Sequence, residues 1–340
     1  MPLRGGEAAN GRDAVHGVKL ALADARGRAG ALTVQAVYLD DTSGRGGHAR
    51  WSSVAASENA RRAVEDSTAI AYVGDFASGA TRSSLPITNE AHMLQVSPAS
   101  SAIDLVEPYL GAGNQVPSSV QPTGERTFGR VIPSDEAQAT AGAGWAKRLG
   151  AHRIETESDG STFGRNLVQA FRDAVPTSSL INRRAQLLYY GGKPQRAPSS
   201  LFDSFPRTIV ESDALLDCPQ CWNDFARPIL ATSAARAPSQ LPPAGQRFVR
   251  AFRDRYGRPP GRYAAYGYEA MAVVLDSIRR AGGSGDSRDA VVSAFFGTRD
   301  RHSVLGTYSI DELGNTTLRR MTGYRVVGGR PRAIASLSAP

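Results

Sequence analysis

Long hydrophobic runs are absent from this 340-residue sequence, although 41% of its residues are hydrophobic. No stretch approaches the roughly 18–20 consecutive apolar residues that a membrane-spanning helix needs. The opening residues Met1–Gly6, Met-Pro-Leu-Arg-Gly-Gly, also lack the basic-then-apolar pattern of a secretion signal. The sequence therefore predicts a chain without a transmembrane helix and, taken literally, without an export signal.

Lysine is scarce, and arginine supplies nearly all of the positive charge. Only Lys19, Lys147 and Lys193 accompany 37 arginines, and the net charge is +8. A nucleic-acid-binding protein concentrates its basic residues on one element. Here the adjacent arginine pairs are spread along the chain, at positions 61–62, 183–184, 279–280 and 319–320. This scatter is typical of solvated helix faces and argues against a nucleic-acid partner.

Cysteine is limited to Cys218 and Cys221, in the order Cys-Pro-Gln-Cys. This spacing is compatible with a local disulfide, a redox pair or half of a zinc site. A zinc site needs about four ligands, and the five histidines show no helical pairing with one another. Nothing around the pair predicts a thioredoxin-like helix start. We expect a structural or incidental role, and no metal.

Motifs for catalysis and for common cofactors are also missing. Ser78 is followed directly by Gly79, so the Gly-x-Ser-x-Gly elbow of α/β hydrolases is not formed. Gly111-Ala112-Gly113 lacks the third glycine of a dinucleotide fingerprint, and no phosphate loop or His-Glu-x-x-His is present. The sequence predicts neither an enzyme nor a bound cofactor.

The residues that are present predict helices alternating with strands. A length of 340 residues suggests two domains. Predicted helices span 13–25, 51–64, 81–90, 135–149, 164–174, 248–256, 263–280 and 289–296. Predicted strands span 32–39, 69–73, 93–96, 153–158, 186–190, 306–310 and 324–327. Residues 231–246, rich in Ala, Pro and Ser, are predicted to form a linker. This alternation favours an α/β fold in which parallel sheets are flanked by helices.

Two serine-rich segments follow neighbouring predicted strands. They are Asp75–Gly79 and Ser97–Ser101. The carboxyl ends of parallel strands form the ligand-binding edge of such a sheet. Short hydroxyls and free N–H groups at helix starts suit a carboxylate, which makes Ser78 and Ser101 candidate ligand-binding residues. The alternative is that they only cap the helices that follow.

Many short segments, in their order and spacing, resemble the leucine/isoleucine/valine-binding family of type I periplasmic-binding-protein-like receptors. The matching segments are Lys19–Leu22, Asp40–Asp41, Glu58–Arg61, Tyr72–Phe76, Asn89–Ala91, Gln95–Ser100, Arg126–Asp135, Tyr266–Met271 and Val304–Asp311.

This resemblance implies two Rossmann-like α/β lobes joined by three crossovers, near Thr127, Ala244 and Arg319. Lobe 1 would take residues 1–127 and 245–318, and lobe 2 would take residues 128–244 and 319–340. The family consists of monomeric extracytoplasmic receptors that close by hinge motion on an amino acid or a related small amide. They deliver it to the membrane permease of an ABC transporter.

The resemblance also implies roles for individual residues. Ser78 and Ser101, with the backbone of Ala99, match the positions that hold the ligand carboxylate. On the second lobe, Phe163 matches an aromatic residue that covers the ligand. Asp213 matches the acidic residue that pairs with the α-ammonium group of the ligand. Lys193 stands where the family often has an aromatic residue, and a cation there would suit a different or more acidic ligand.

The sequence departs from the family in three places. The family's first strand precedes the turn matched by Pro2–Gly5, where this sequence begins, so we expect lobe 1 to lack one strand. Lobe 2 is predicted to lack a strand-helix unit between Ala174 and Leu187. The strand before Asp159 reads Ile-Glu-Thr-Glu-Ser, which is too polar for a strand that is buried on both faces.

These departures leave two alternatives to a working receptor. One is a cytoplasmic ligand sensor with the same fold that regulates a partner protein. The other is a truncated, nonfunctional paralogue whose second lobe no longer binds.

Overall fold

The computed structural model describes residues 1–108, 117–180, 185–193, 198–211, 216 and 227–340. Its described residues divide into two compact units. The first unit takes Met1–Glu107, the described part of 115–133, and Leu241–Leu318. The second takes most of Ser134–Gln240 together with Arg319–Pro340.

The described residues up to 133 form four α-helices and seven short strands. The helices α1–α4 are Ala8–Asp24, Ser53–Glu65, Ser78–Glu90 and Pro117–Val120. The strands β1–β7 are Arg28–Ala29, Leu32–Thr33, Thr42–Ser43, Arg50–Trp51, Ala71–Val73, Leu94–Ser97 and Phe128–Arg130.

The remaining elements are labelled in the same way. Between residues 134 and 240, α5–α7 are Asp135–Arg148, Thr162–Ala174 and Ser199–Asp203, and β8–β11 are Ile154–Ser158, Leu187–Gly191, Thr208–Glu211 and Ile229–Ser233. Beyond residue 240, α8–α10 are Pro243–Tyr256, Ala264–Arg280 and Arg288–Phe296, and β12–β15 are Arg301–His302, Thr307–Tyr308, Arg320–Val327 and Arg330–Ser338.

The first unit is built on a parallel sheet in the order β5-β6-β7. All four residues of β6 are buried, as expected for the central strand of a sheet covered on both faces. The strand β7 follows residue 127, where the sequence predicted the change of lobe. Because Phe128–Arg130 pairs with β6, the described chain leaves the first unit only after Pro133.

The second unit contains a six-stranded sheet in the order β15-β14-β11-β10-β9-β8. Strands β8 to β11 run parallel, and β14 and β15 are antiparallel additions. Among the described strands, the polar strand Ile154–Ser158 stands last in this sheet, and Leu180 forms an isolated parallel bridge with Ile154. Glu157 of this strand is exposed. Glu155 is half-buried and Glu157 exposed, so the expected burial of the strand's charges does not occur.

Two other expectations about single elements were wrong, and one strand was not predicted. The segment predicted as the strand 32–39 pairs only through Leu32–Thr33, and Val37 within it is 70% exposed. The predicted linker 231–246 holds the end of β11 and the start of α8. The strand Thr208–Glu211 was not predicted at all, although it lies inside the second sheet. The predicted α/β class, with parallel sheets flanked by helices, is confirmed.

Across the described ranges of the chain, none of the helices combines the length and the apolar character that crossing a membrane requires.

Candidate functional site

Ser78 is the first residue of α3, directly after the turn that follows β5. The N-cap of this helix is Ala77, which has no side-chain oxygen to accept the first N–H groups. By contrast, Ser52, Ser134 and Ser161 cap α2, α5 and α6 through their hydroxyls. The first N–H groups of α3 are therefore not satisfied by a capping side chain. Unsatisfied N–H groups at the start of a helix can bind an anion.

The side chain of Ser78 does not cap its own helix. Its Oγ accepts a hydrogen bond from the N–H of Ala102 at 3.3 Å. Since this contact uses a lone pair of Oγ, the hydroxyl hydrogen of Ser78 is left to donate elsewhere. The capping alternative considered for Ser78 does not match this geometry, because α3 is preceded by Ala77.

The second serine-rich turn is joined to the first through the backbone of Asp75. The carbonyl oxygen of Asp75 accepts from Ser97 Oγ at 2.6 Å and from Ser100 Oγ at 3.1 Å. Ser97 Oγ in turn accepts from the N–H groups of Ala99 and Ser100, at 3.1 and 2.8 Å. The structure thus brings Ser78, Ala99 and Ser101 to one edge of the first sheet, with the N–H of Ala99 engaged by Ser97.

Arg130 lies beneath the second turn, and its side chain is buried. Its Nη1 donates to the carbonyl oxygens of Ala102 at 2.7 Å and Ser100 at 3.4 Å, and its Nε donates to Asn315 Oδ1 at 2.7 Å. These two carbonyl groups flank Ser101, whose side chain is half-buried. The guanidinium group therefore holds the backbone on both sides of a predicted ligand-binding residue. Sequence reasoning missed this role, although Arg130 lies within the resemblance.

The carboxyl group of Asp75 is buried below the same turns. Its Oδ1 accepts from the hydroxyl of Tyr72 at 2.9 Å, and its Oδ2 accepts from Ser84 Oγ at 2.5 Å. Burial raises the pKa of Asp75, and these hydrogen bonds only partly oppose the shift. The folded state therefore favours the protonated carboxyl more than the unfolded chain does.

The raised pKa of Asp75 predicts how stability varies with pH. Because the folded state binds this proton more tightly, its contribution to stability is complete below about pH 4 and is lost as pH rises through the folded-state pKa. We expect the free energy of unfolding of the wild type to fall relative to that of Asp75→Asn as the pH rises above about 4. Urea unfolding at a series of pH values measures this difference, with the exposed Asp254→Asn as a charge-matched control. A difference that stays constant with pH would contradict the prediction.

In the second unit, the turn before α6 and the end of β9 are joined by Asp159. Its Oδ1 accepts from the N–H of Ser161 at 2.9 Å, and its Oδ2 accepts from the N–H of Lys193 at 3.1 Å. Phe163 lies in the first turn of α6 and is 39% exposed. Phe163 and Lys193, predicted as ligand-binding residues, therefore lie at the same edge of the second sheet.

A side chain at position 192 would not fit this arrangement. Gly192 has φ +106°, and a Cβ atom there would lie 2.4 Å from the Asp159 carboxyl group. The predicted ammonium partner Asp213 and the pair Cys218 and Cys221 lie outside the described residues. Their predicted roles stay predictions.

Sequence comparison identifies one family over part of the chain. Residues 224–330 match the family model described as periplasmic binding protein. No curated protein matches the sequence.

Solved structures match nearly the whole chain. A leucine-binding protein from Thermotoga maritima MSB8 is 22% identical, with a TM-score of 0.76 and coverage of 99% of this chain and 97% of that chain. The branched-chain amino acid transporter substrate-binding protein from Streptococcus pneumoniae, in complex with isoleucine, is 16% identical, with a TM-score of 0.73 and coverage of 99% and 97%. A solute-binding protein of an ABC transporter from R. palustris, in complex with benzoate, is 15% identical, with a TM-score of 0.73 and coverage of 100% and 94%.

Identities at this level show a shared fold. The resemblance predicted from the sequence is confirmed: the chain has the type I fold of the branched-chain amino acid-binding proteins of ABC transporters, and residues 224–330 match the periplasmic binding protein family.

Proposed function

We propose that this chain is an extracytoplasmic solute-binding receptor that takes up a small carboxylate and delivers it to the permease of an ABC-type transporter. Amino acids and related small amides are the first ligand class to test. The proposal gives the chain a transport role and no catalytic step.

The observation that carries this proposal is the joined pair of turns in the first unit. The hydroxyl of Ser78 retains a hydrogen to donate, and the first turn of α3 has no side-chain cap. Ser101 is half-buried, between two carbonyl groups held by Arg130. Donors fixed in position before binding lose little entropy when they engage an anion. A carboxylate that accepts from both hydroxyls would gain charge-assisted hydrogen bonds.

The predicted residues of the second unit complete the proposal. Phe163 would contact the body of the ligand, and Asp213 would pair with an α-ammonium group. Lys193 would favour ligands with a second negative charge. The R. palustris relative was solved with benzoate, and the Streptococcus relative with isoleucine. These relatives support a carboxylate as the shared feature and leave the body of the ligand to be determined.

Removing either serine hydroxyl tests the carboxylate site. We expect Ser78→Ala and Ser101→Ala each to weaken binding of a carboxylate ligand about 10- to 100-fold, because a hydrogen bond to a charged group contributes about 1.5–3 kcal/mol. The ligand is first identified by a thermal-shift screen of amino acids, small amides and carboxylic acids, and affinities are then measured by isothermal titration calorimetry. Ser284→Ala is the matched control, since Ser284 is exposed in the same unit.

Amidated forms of the same ligand sharpen this test. If the two serines bind a carboxylate, the amide should bind the wild type weakly and should lose little more in Ser78→Ala or Ser101→Ala. A wild type that binds nothing in the screen, or serine variants that bind as tightly as the wild type, would overturn the proposal.

A further inference from the structure

A partly exposed tryptophan lies beside the first turn of α3. Trp51 ends β4, where it pairs with Thr42 of β3, and it directly precedes Ser52, the N-cap of α2. Its surface is 36% exposed, which places it among the few large apolar side chains of the described chain that remain accessible. Because the indole of Trp51 remains accessible, packing in the core does not by itself account for its presence here.

The ring of Trp51 lies directly on Gly79, the residue after Ser78. A Cβ atom built on Gly79 would come within 2.4 Å of Cη2 and 2.5 Å of Cζ2 of the indole. No residue other than glycine allows the ring to come this close. Alanine is the better helix former, so the glycine is explained by the approach of the ring and not by the needs of α3.

A second aromatic ring stands in the turn that leads into α3. Phe76 is half-buried and makes an edge-to-face contact with Tyr263, with ring centroids 4.6 Å apart and an interplanar angle of 71°. The contact holds Phe76 against the buried start of α9. Ser78, which is proposed to bind the carboxylate, therefore lies two residues after Phe76. The residue that follows it, Gly79, is covered by the ring of Trp51.

The acidic group that directly precedes this turn, Asp75, is already engaged. The carboxyl group of Asp75 accepts from Tyr72 and Ser84 and is fully buried. The accessible surface contributed by Trp51 is flat and apolar, whereas the hydroxyl of Ser78, the residue before Gly79, is a donor. Flat apolar rings gain more from contact with an indole than aliphatic groups of similar area do.

We propose that the solute is a carboxylic acid carrying an aromatic ring close to its carboxylate, and that Trp51 is the residue that selects for this ring. The inference rests on the proposed function, because it takes the Ser78 and Ser101 hydroxyls as the carboxylate site. Aryl carboxylates and aromatic amino acids share this chemistry, and the experiment separates them by the α-ammonium group.

Titration calorimetry of the full chain with benzoate, phenylalanine, cyclohexanecarboxylate and leucine tests the inference. We expect the wild type to bind one of the two aromatic acids at least about 10-fold more tightly than its aliphatic counterpart. Trp51→Leu should reduce this preference to about threefold or less, and Trp51→Phe should retain most of it. Tyr38→Leu, which also removes a partly exposed aromatic ring from the first unit, should leave the preference unchanged.

Gly79→Ala provides a second variant that keeps the indole. The added methyl group would displace the ring, so this variant should also lose the aromatic preference. Gly144→Ala is its control, since the nearest atom to a Cβ at that position is a guanidinium nitrogen of Arg148 at 3.7 Å. Ligand-induced change in tryptophan fluorescence should be present in the wild type and absent in Trp51→Phe.

The outcomes separate this inference from the proposed function. Tight binding of leucine or cyclohexanecarboxylate that is sensitive to Ser78→Ala but not to Trp51→Leu would overturn the inference and leave the receptor proposal standing. Binding of no acid in the panel would count against both. An aromatic preference that survives both Trp51→Leu and Gly79→Ala would assign the selection to other residues.

Discussion

Replacing Arg130 with methionine should lower the free energy of unfolding of the first unit by about 2–5 kcal/mol. The substitution leaves the carbonyl oxygen of Ala102 and Oδ1 of Asn315 without the donors they have at 2.7 Å, and each polar group left unsatisfied in a buried setting costs about 1–3 kcal/mol. It also frees the backbone on both sides of Ser101, so the variant should lose ligand binding. The loss of stability is measured by urea unfolding, with hydrogen exchange of peptides from the first unit as the readout.

Two further variants distinguish Arg130 from an ordinary surface arginine. Arg62→Met removes an exposed arginine from α2 and should change stability by no more than about 0.5 kcal/mol. Arg130→Lys keeps the charge but not the several donors in a fixed plane, and we expect it to fall between the wild type and Arg130→Met. Equal stability of Arg130→Met and Arg62→Met would show that the buried contacts are not needed.

Gly267→Ala should destabilise the first unit by at least about 2 kcal/mol, even though alanine is the better helix former by about 1 kcal/mol. A Cβ atom on Gly267 of α9 would lie 2.1 Å from the carbonyl oxygen of Ala14 in α1. The reciprocal contact is as close, since a Cβ on Gly17 would lie 2.0 Å from the carbonyl oxygen of Ala264. Backbone atoms cannot rotate away as side chains do, so the two helices would have to separate and lose part of their shared core.

Gly144→Ala is the matched control for this prediction. Position 144 also lies within a helix, α5, but it has room for a methyl group. The control should therefore follow helix propensity and raise stability by up to about 1 kcal/mol. Thermal and urea unfolding of both variants give the comparison, and a stabilising Gly267→Ala would refute the close approach of α1 and α9.

Local pattern predicted most helices well, because the spacing of apolar residues along a helix is set by neighbours a few positions away. The predicted helix at 135–149 is Asp135–Arg148, and the predicted helix at 263–280 is Ala264–Arg280. The first of these helices begins after Ser134, whose hydroxyl caps it.

Strands were predicted less well, because a strand exists only where a partner lies beside it. Residues 32–39 have the composition of a strand, yet only Leu32 and Thr33 pair, with β1. Ile154–Ser158 has an unsuitable composition for a buried strand, yet it pairs with β9 along its whole length, and neither of its glutamates is fully buried. The order of strands in a sheet depends on pairings across long separations, and no local pattern contains it.

For the candidate site as well, some features follow from the sequence pattern and others from tertiary packing. Sequence patterns and the resemblance were enough to predict the α/β class, the two serine-rich turns at the ends of neighbouring strands, and the candidate residues Ser78, Ala99, Ser101, Phe163, Lys193 and Asp213. The contacts of those among them that the structure describes depend on tertiary packing. Ser78 accepts from Ala102, 24 residues away, and Arg130 bonds to Asn315, 185 residues away. Trp51 lies on Gly79 because the start of α2 packs beside the start of α3. Contacts of this kind form only when the packing of whole elements brings distant residues together, so the sequence predicted candidate residues and the fold arranges those that the structure describes.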